Sequence, residues 1–267
     1  MSQTLDTLET IARRAGDAIM RIYEQGSGDV QYKEDESPLT AADEAAHQVI
    51  VEGLKAAFPD IPILSEEGAD VPAAQRQGWN PFFLVDPLDG TKEFIKRNGE
   101  FTVNIALIED SFPVAGVVHA PVLERTYLGD TLGARRRDGD SEPHHIHVAE
   151  PVAGRPWRVV GSRSHAAPEV QTLVDALGDD AELVSMGSSL KLCLVAEGSA
   201  DLYPRIGPTM EWDTGAAHAV VSAAGGVVVD RFLDELIYNR RDTLLNPHFI
   251  AASRLDPAWT EPLAAID

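Results

Sequence analysis

Two carboxylates stand three residues apart in Asp86-Pro87-Leu88-Asp89-Gly90-Thr91, with a proline and a glycine to shape the backbone. The apolar run Pro81-Phe82-Phe83-Leu84-Val85 leads in and reads as a buried strand, and Lys92-Glu93-Phe94-Ile95 can begin a short helix. The stretch predicts a tight loop at a strand end, holding two acids, a hydroxyl and a helix N-terminus. Hard oxygen ligands suit Mg²⁺, and a helix N-terminus suits a phosphate. An acid pair in a turn is often only solvated or capping, so the weight falls on the other acids. Ile61-Pro62-Ile63-Leu64 reads as a short strand that runs into Ser65-Glu66-Glu67, a second strand end carrying acids. Two such ends can converge at one edge of a sheet, where sites in α/β folds often lie. A further acid, Asp213, sits in Glu211-Trp212-Asp213-Thr214-Gly215 at the start of the last long helix. Asp213-Thr214-Gly215 mimics the aspartic-protease triplet, but that chemistry needs two such carboxylates sharing one proton, and Asp89-Gly90-Thr91 has the wrong order.

The elements that must position these groups follow from periodicity. Leu8, Ile11, Ala12, Ala15, Ile19 and Ile22 share one face of a helix from Leu5 to about Glu24, ended by Gly26-Ser27-Gly28. After a polar loop from Lys33 to Pro38, Thr40 is placed as the N-cap of a second helix running to about Phe58, with Asp43 at the reciprocal position of a capping box. Residues 68–80 read as a mobile surface loop. Alternating runs over Phe101–Ile108, Val114–His119 and Arg125–Leu128 predict an antiparallel meander, and Arg135-Arg136-Arg137 an exposed hairpin tip. His144, His145 and His147 lack the spacing of a zinc site and take surface roles. From Arg158 onward strands and helices alternate. Gly161-Ser162-Arg163-Ser164-His165 offers hydroxyls and a cation to an anion. Gly187-Ser188-Ser189 starts a helix through about Glu197 with Lys191 in its first turn, which is either a phosphate seat or ordinary capping. Ala200–Tyr203 is a strand that delivers Arg205, and Gly225–Val229 and Phe249–Ala251 are the last strands. The pattern predicts layered α and β elements in two intimate halves.

The 267 residues suffice for a large core. A net charge of −21 argues against nucleic-acid polymers and anionic lipid as partners, while leaving room for a small anion bound through local cations and metal. No apolar stretch reaches the length of a membrane span, the N-terminus does not read as a secretion signal, and a single cysteine, Cys193, fits a reducing, cytoplasmic compartment.

Together, Ser65-Glu66-Glu67, Asp86 through Thr91 and Trp212-Asp213 resemble the inositol monophosphatase superfamily of metal-dependent, lithium-sensitive phosphatases. Within it, Ser37 through Asp43, Asp86 through Phe101, Gly187-Ser188-Ser189-Leu190-Lys191, Leu202-Tyr203-Pro204-Arg205 and Leu245-Asn246-Pro247 are similar to the 3'(2'),5'-bisphosphate nucleotidases. One departure is Gly215-Ala216-Ala217, where the family usually has Ala-Ala-Gly. The resemblance implies a layered αβαβα sandwich (α/β, or α+β) over residues 1–267, with a metal-binding half over 1–150 and a half over 151–267 carrying substrate specificity. It implies two or three Mg²⁺ ions on Glu66, Asp86, the Leu88 carbonyl, Asp89 and Asp213, with Asp86 bridging two of them and Glu66 holding the ion of the attacking water. Thr91, with Asp43 behind it, would orient and deprotonate that water. The phosphoryl group would lie among Glu66, Leu88, Asp89, Gly90, Thr91 and Asp213. A second phosphate would meet Ser188, Ser189, Lys191 and Arg205, with Ser164 and His165 as weaker candidates. The implied reaction is hydrolysis of adenosine 3',5'-bisphosphate to AMP and phosphate in sulfur metabolism. Inositol monophosphate, fructose 1,6-bisphosphate and a non-catalytic nucleotide or metal sensor are the rivals. Monomer or homodimer, and peripheral attachment at the inner face of the cell membrane, stay open.

Overall fold

The computed structural model describes residues 2–25, 38–68, 70–152, 154–161, 168–178 and 181–264. The expected turn at Gly26-Ser27-Gly28, the loop from Lys33, Ser37 and the Ser162–His165 anion loop lie outside the described residues. Helices α1 (Gln3–Gln25) and α2 (Pro38–Ala57) cover one face of a seven-stranded sheet. Its strands lie in chain order: β1 (Ile63–Ser65), β2 (Phe82–Asp89), β3 (Thr102–Glu109), β4 (Phe112–Ala120), β5 (Arg125–Asp130), β6 (Gly133–Asp138) and β7 (His144–His145). Only β1 and β2 pair in parallel; the rest is the meander that the alternation predicts. Two short helices, α3 (Ala73–Arg76) and α4 (Thr91–Lys96), flank β2. A second sheet has the order β11-β12-β10-β8-β9, from β8 (Arg158–Gly161), β9 (Glu182–Ser185), β10 (Leu202–Arg205), β11 (Val227–Asp230) and β12 (Phe249–Ala252). Helices α6 (Leu190–Ala196) and α7 (Glu211–Ala223) fill the space between the sheets, and α5 (Pro168–Ala176) and α8 (Pro257–Ala264) close the far side. The layers run αβαβα.

Three apolar clusters fill the layers: one under α1 and α2, one on both sides of the middle helices, and one under α5 and α8. Leu5, Leu8, Ile11, Ala15 and Ile19 of α1 meet Val103, Ile105 and Val117 of the first sheet. The middle layer must be apolar all round, and α7 buries Trp212, Ala216, Ala217, Val220 and Val221 between the two sheets. Glu211 and His218, buried on it, find partners in the 238–241 segment. Glu211 is fully buried and accepts hydrogen bonds from the Asn239 amide at 2.7 Å and from Arg241 at 3.0 Å, and His218 Nδ1 meets the Tyr238 hydroxyl at 3.0 Å. No helix among the described residues is long and apolar enough to cross a membrane.

Several expectations need correction. Strand β2 runs through the motif to Asp89 rather than ending before it, because the pairing with β3 resumes after a bulge between Asp86 and Asp89. Helix α2 begins at Pro38, so Thr40 lies inside its first turn and is not the N-cap. Of the segment expected as a mobile loop, residues 70–80 are no loose loop. Arg76 is 2% exposed and donates to Asn239 Oδ1 at 2.7 Å and to the Asp242 carbonyl at 2.6 Å. Arg135–Arg137 lie within β6, not at a hairpin tip. Arg136 pairs with Glu197 at 2.8 Å and Arg137 with Glu9 at 2.6 Å. Charge alone marked these arginines as solvated; Asp138 holds Arg136 locally, but Glu197 and Glu9 come from far along the chain.

Candidate active site

The bulge in β2 sets the site. Asp86 is opposite Asn104 and Asp89 is opposite Thr102, so Pro87 and Leu88 share the single position Val103. Bulges of this kind re-aim groups beside active sites. Here the Leu88 side chain packs in the core, 2% exposed, and its amide donates to Asp86 Oδ1 at 3.0 Å. Gly90 then turns the chain at φ 101°, and α4 starts at Thr91. A side chain at Gly90 would also crowd Phe101 and the Glu100 carbonyl, each 3.2 Å from a Cβ.

Carboxylate oxygens of Asp86, Asp89 and Asp213 lie within 4.8 Å of one another. Each of these residues uses one oxygen on protein donors. Asp86 Oδ1 takes the Leu88 amide, Asp89 Oδ2 takes the Ser189 amide and hydroxyl, both at 2.6 Å, and Asp213 Oδ2 takes the Met210 amide at 2.9 Å. Asp86 Oδ2 is buried with no donor, and so is Asp43 Oδ1 on α2. Buried anionic oxygens without donors are costly unless a cation joins them. An octahedral Mg²⁺, with ligands at about 2.0–2.1 Å, spans such a cluster. The residues present therefore fit a divalent metal. Glu66 stands at the rim, in the single 3-10 turn over Glu66–Gly68 that follows β1, and α2 packs against both that turn and α4.

Without a cation, burial and mutual repulsion favour the protonated forms of Asp86, Asp43 and Asp213. Burial, then the charges of Asp89, Glu66, Asp213 and Asp43, push Asp86 well above the usual carboxylate range. Burial and Glu67 raise Asp43 to about 8, and burial and Asp89 raise Asp213 to about 7. Between the ordinary value of 3.8 and these values the folded chain binds more protons than the unfolded chain. Its stability is then greatest in acid and is lost as pH rises through about 7 to 8. Melting temperature in EDTA is expected to fall steadily from about pH 5 to about pH 8, and added Mg²⁺ to restore it most at the high end. A profile in EDTA that is flat or rises with pH would contradict the electrostatics of the cluster.

A cleft of ≈ 490 Å³ opens beside the acids, lined by Asp89, Gly90, Ser188, Lys191, Tyr203, Arg205 and Asp213 among others. It lies on the seam between the two sheets. The segment before α6 crosses that seam. The Gly187 amide donates to Glu100 Oε2 at 2.8 Å, and a Cβ there would lie 2.6 Å from Glu93 Cγ and 2.8 Å from the Glu100 carbonyl. Ser188 holds φ 48°, a conformation that glycine would take without strain, so its hydroxyl is kept at a conformational cost. Helix α6 starts at Leu190, later than the sequence suggests. Ser189 makes no side-chain cap and spends its hydroxyl on Asp89 and on the Asp213 carbonyl, at 2.9 Å.

Two cations in the cleft have unspent donors. Lys191 Nζ lies 5.7 Å over the Tyr203 ring, and burial lowers its pKa against the opposing charge of Asp89. Arg205 donates one nitrogen to the Pro208 carbonyl at 2.9 Å, while its buried Nε has no partner. Sequence reasoning passed over Tyr203, Glu100 and Asn104. Tyr203 and Glu100 lie in stretches that carry the resemblance, and Asn104 stands out as an amide within the mostly apolar run Phe101–Ile108.

The inositol monophosphatase family model matches residues 1–266. The chain belongs to the inositol monophosphatase family. The family's phosphatases are metal-dependent, which agrees with the acidic cluster. The chain is 52% identical over 248 residues to the 3'(2'),5'-bisphosphate nucleotidase CysQ of Salmonella typhimurium, covering 92% of this chain and 98% of that protein. It is 51% identical over 247 residues to CysQ of Escherichia coli strain K12, with the same coverage of each. The crystal structure of CysQ from Bacteroides thetaiotaomicron superposes with a TM-score of 0.84 at 42% identity, over 96% of this chain and 99% of that one. The αβαβα sandwich is thus the fold of the family.

Proposed function

We propose that this chain is a Mg²⁺-dependent 3'(2'),5'-bisphosphate nucleotidase that hydrolyses the 3'-phosphate of adenosine 3',5'-bisphosphate, giving AMP and phosphate. The observation that carries the reading is the pair of unspent cations, Lys191 and Arg205, in the same cleft as Asp89 and Asp213. A nucleotide with two phosphates needs a second anion site, and a protein of net charge −21 supplies few places for one. The names and identities of the CysQ relatives support the same choice.

Glu66, Asp86, the Leu88 carbonyl, Asp89 and Asp213 would hold two or three Mg²⁺ ions, which would supply an activated water and charge neutralisation for in-line displacement. Thr91 orients the attacking water and, with Asp43 behind it, takes its proton. The amides of Gly90 and Thr91 receive the phosphoryl oxygens. Lys191, Arg205 and Ser188 hold the 5'-phosphate, which fixes the nucleotide so that its 3'-phosphate meets the acids. Cys193, buried and unpaired, is in keeping with a reducing compartment such as the cytoplasm. The reaction clears the by-product of sulfate activation and sulfonate transfer.

Phosphate release is measured with Mg²⁺ from adenosine 3',5'-bisphosphate, inositol 1-phosphate and fructose 1,6-bisphosphate, with and without lithium. The nucleotide is expected to win by more than about tenfold in kcat/KM and lithium to inhibit. Lys191→Ala is expected to raise KM for the nucleotide by about tenfold to a hundredfold, the loss of one charged hydrogen bond. Preference for inositol 1-phosphate would overturn the roles of Lys191 and Arg205. Release from none of the three would leave a non-catalytic sensor.

A further inference from the structure

We propose that Asn104 and Ser189 form a relay that positions Asp89, with Ser189 serving the metal site rather than the substrate. The inference rests on the reading above that Asp89 is a metal ligand. Ser189 lines the cleft but is 2% exposed, and its hydroxyl is engaged by Asp89, the Asp213 carbonyl and Asn104. That hydroxyl has one hydrogen and faces two acceptors, Asp89 Oδ2 at 2.6 Å and the Asp213 carbonyl at 2.9 Å. Asn104 Nδ2 donates to the same oxygen at 2.7 Å. The amide occupies the accepting side of the hydroxyl and leaves its hydrogen directed to the acceptors. With the Ser189 amide added, Asp89 Oδ2 is held by two donors, and Asp89 Oδ1 has no donor among the described residues. The relay thus decides which oxygen of Asp89 is left for the cation.

The position of Asn104 argues against a merely structural role. It lies on β3 directly opposite Asp86, 1% exposed, between Val103 and Ile105, both fully buried. Its own Oδ1 is buried without a partner. An apolar residue would sit there without that unsatisfied oxygen, so what the amide offers is its donor to Ser189. Second partners of this kind orient metal ligands and tune affinity by about ten- to a hundredfold. The relay also crosses the seam: Asn104 and Asp89 belong to the first sheet, and Ser189 precedes α6.

The test is calorimetric titration of the purified full chain with MgCl₂. Ser189→Ala and Asn104→Ala are each expected to weaken Mg²⁺ binding by about tenfold. The double variant is expected to be no weaker than Ser189→Ala alone, because Asn104 acts through the serine. At saturating Mg²⁺ the KM for adenosine 3',5'-bisphosphate should stay within about twofold in Ser189→Ala, since the hydroxyl is already spent on Asp89, the Asp213 carbonyl and Asn104. Asn104→Leu, nearly isosteric, is titrated in parallel to keep the result independent of the cavity that alanine leaves. Unchanged Mg²⁺ affinity in the Asn104 variants, or additive losses in the double variant, would overturn the relay. A raised KM with unchanged Mg²⁺ affinity in Ser189→Ala would return Ser189 to the substrate. Asp89→Asn is the control: if it binds Mg²⁺ as the parent does, the metal reading of Asp89 fails, whatever the relay does.

Discussion

Asp86→Asn is expected to lower turnover of adenosine 3',5'-bisphosphate by about a thousandfold or more, while the metal-free protein melts at or above the parent temperature at about pH 8. The two effects share one cause. Asp86 is 1% exposed, and one of its oxygens has no donor. Four neighbouring carboxylates, Asp89, Glu66, Asp213 and Asp43, raise its pKa further. In the metal-free fold this group is a liability, and an amide of the same shape relieves it. In the loaded enzyme the same carboxylate would hold metal, and an amide carries no charge to do so. Steady-state rates beside melting curves in EDTA check both halves. Loss of activity together with a melting temperature well below the parent would point to a packing role for Asp86, and retained activity would end its assignment as a metal ligand.

The second large effect lies away from the chemistry. Gly129→Val is expected to destabilise the protein by about 4 kcal/mol, a fall in melting temperature of about 10 °C, because overpacking here meets main chain rather than a movable side chain. A Cβ on Gly129 would lie 2.6 Å from Val220 Cα and 2.7 Å from the Ala219 carbonyl, both backbone of α7. Gly116 faces Gly129 directly across β4 and β5, and a Cβ there would collide with the Ala216 carbonyl of the same helix. The paired glycines make a bare patch on the first sheet, and α7 lies down on it. Asp213 is on the first turn of α7, so the variant should also need more Mg²⁺ for activity. Gly161→Ala, where a Cβ meets open space, is the comparison and should melt within about 1 °C of the parent. Equal melting temperatures for Gly129→Val and the parent would mean that α7 has room to lift.

How much of this was legible in the sequence depends on what kind of contact each residue makes. The meander, the α1 face and the alternating second half are periodic, and periodicity survives in a one-dimensional reading. The three acid motifs were legible because strand ends and helix starts are local features. The departure at Gly215-Ala216-Ala217 was legible too, but not its outcome. α7 runs unbroken through Gly215, where a Cβ would press on Leu84 Cδ2 at 2.9 Å, so the shifted glycine serves packing. For Ser189 the substrate contact comes from the resemblance alone, since a hydroxyl before a helix with a lysine fits a phosphate seat and ordinary capping equally. That its partner is Asp89, 100 residues earlier, is set by how the two sheets dock. Arg76 and Asn239 are separated by 163 residues, and no local pattern links them. The pairing of Gly116 with Gly129 is likewise invisible until the register of β4 and β5 is known.

The protonated acid cluster has one more consequence. If Asp43 and Asp213 still hold protons near neutral pH in the metal-free fold, loading the centre is an exchange of protons for cations. The enzyme then acidifies its surroundings each time it takes up metal. Its apparent appetite for Mg²⁺ becomes a function of pH, falling as pH drops below about 7 to 8 and levelling off above it. A cell whose pH drifts downward would find the same total magnesium less able to switch the enzyme on, with no change in any residue that touches the nucleotide.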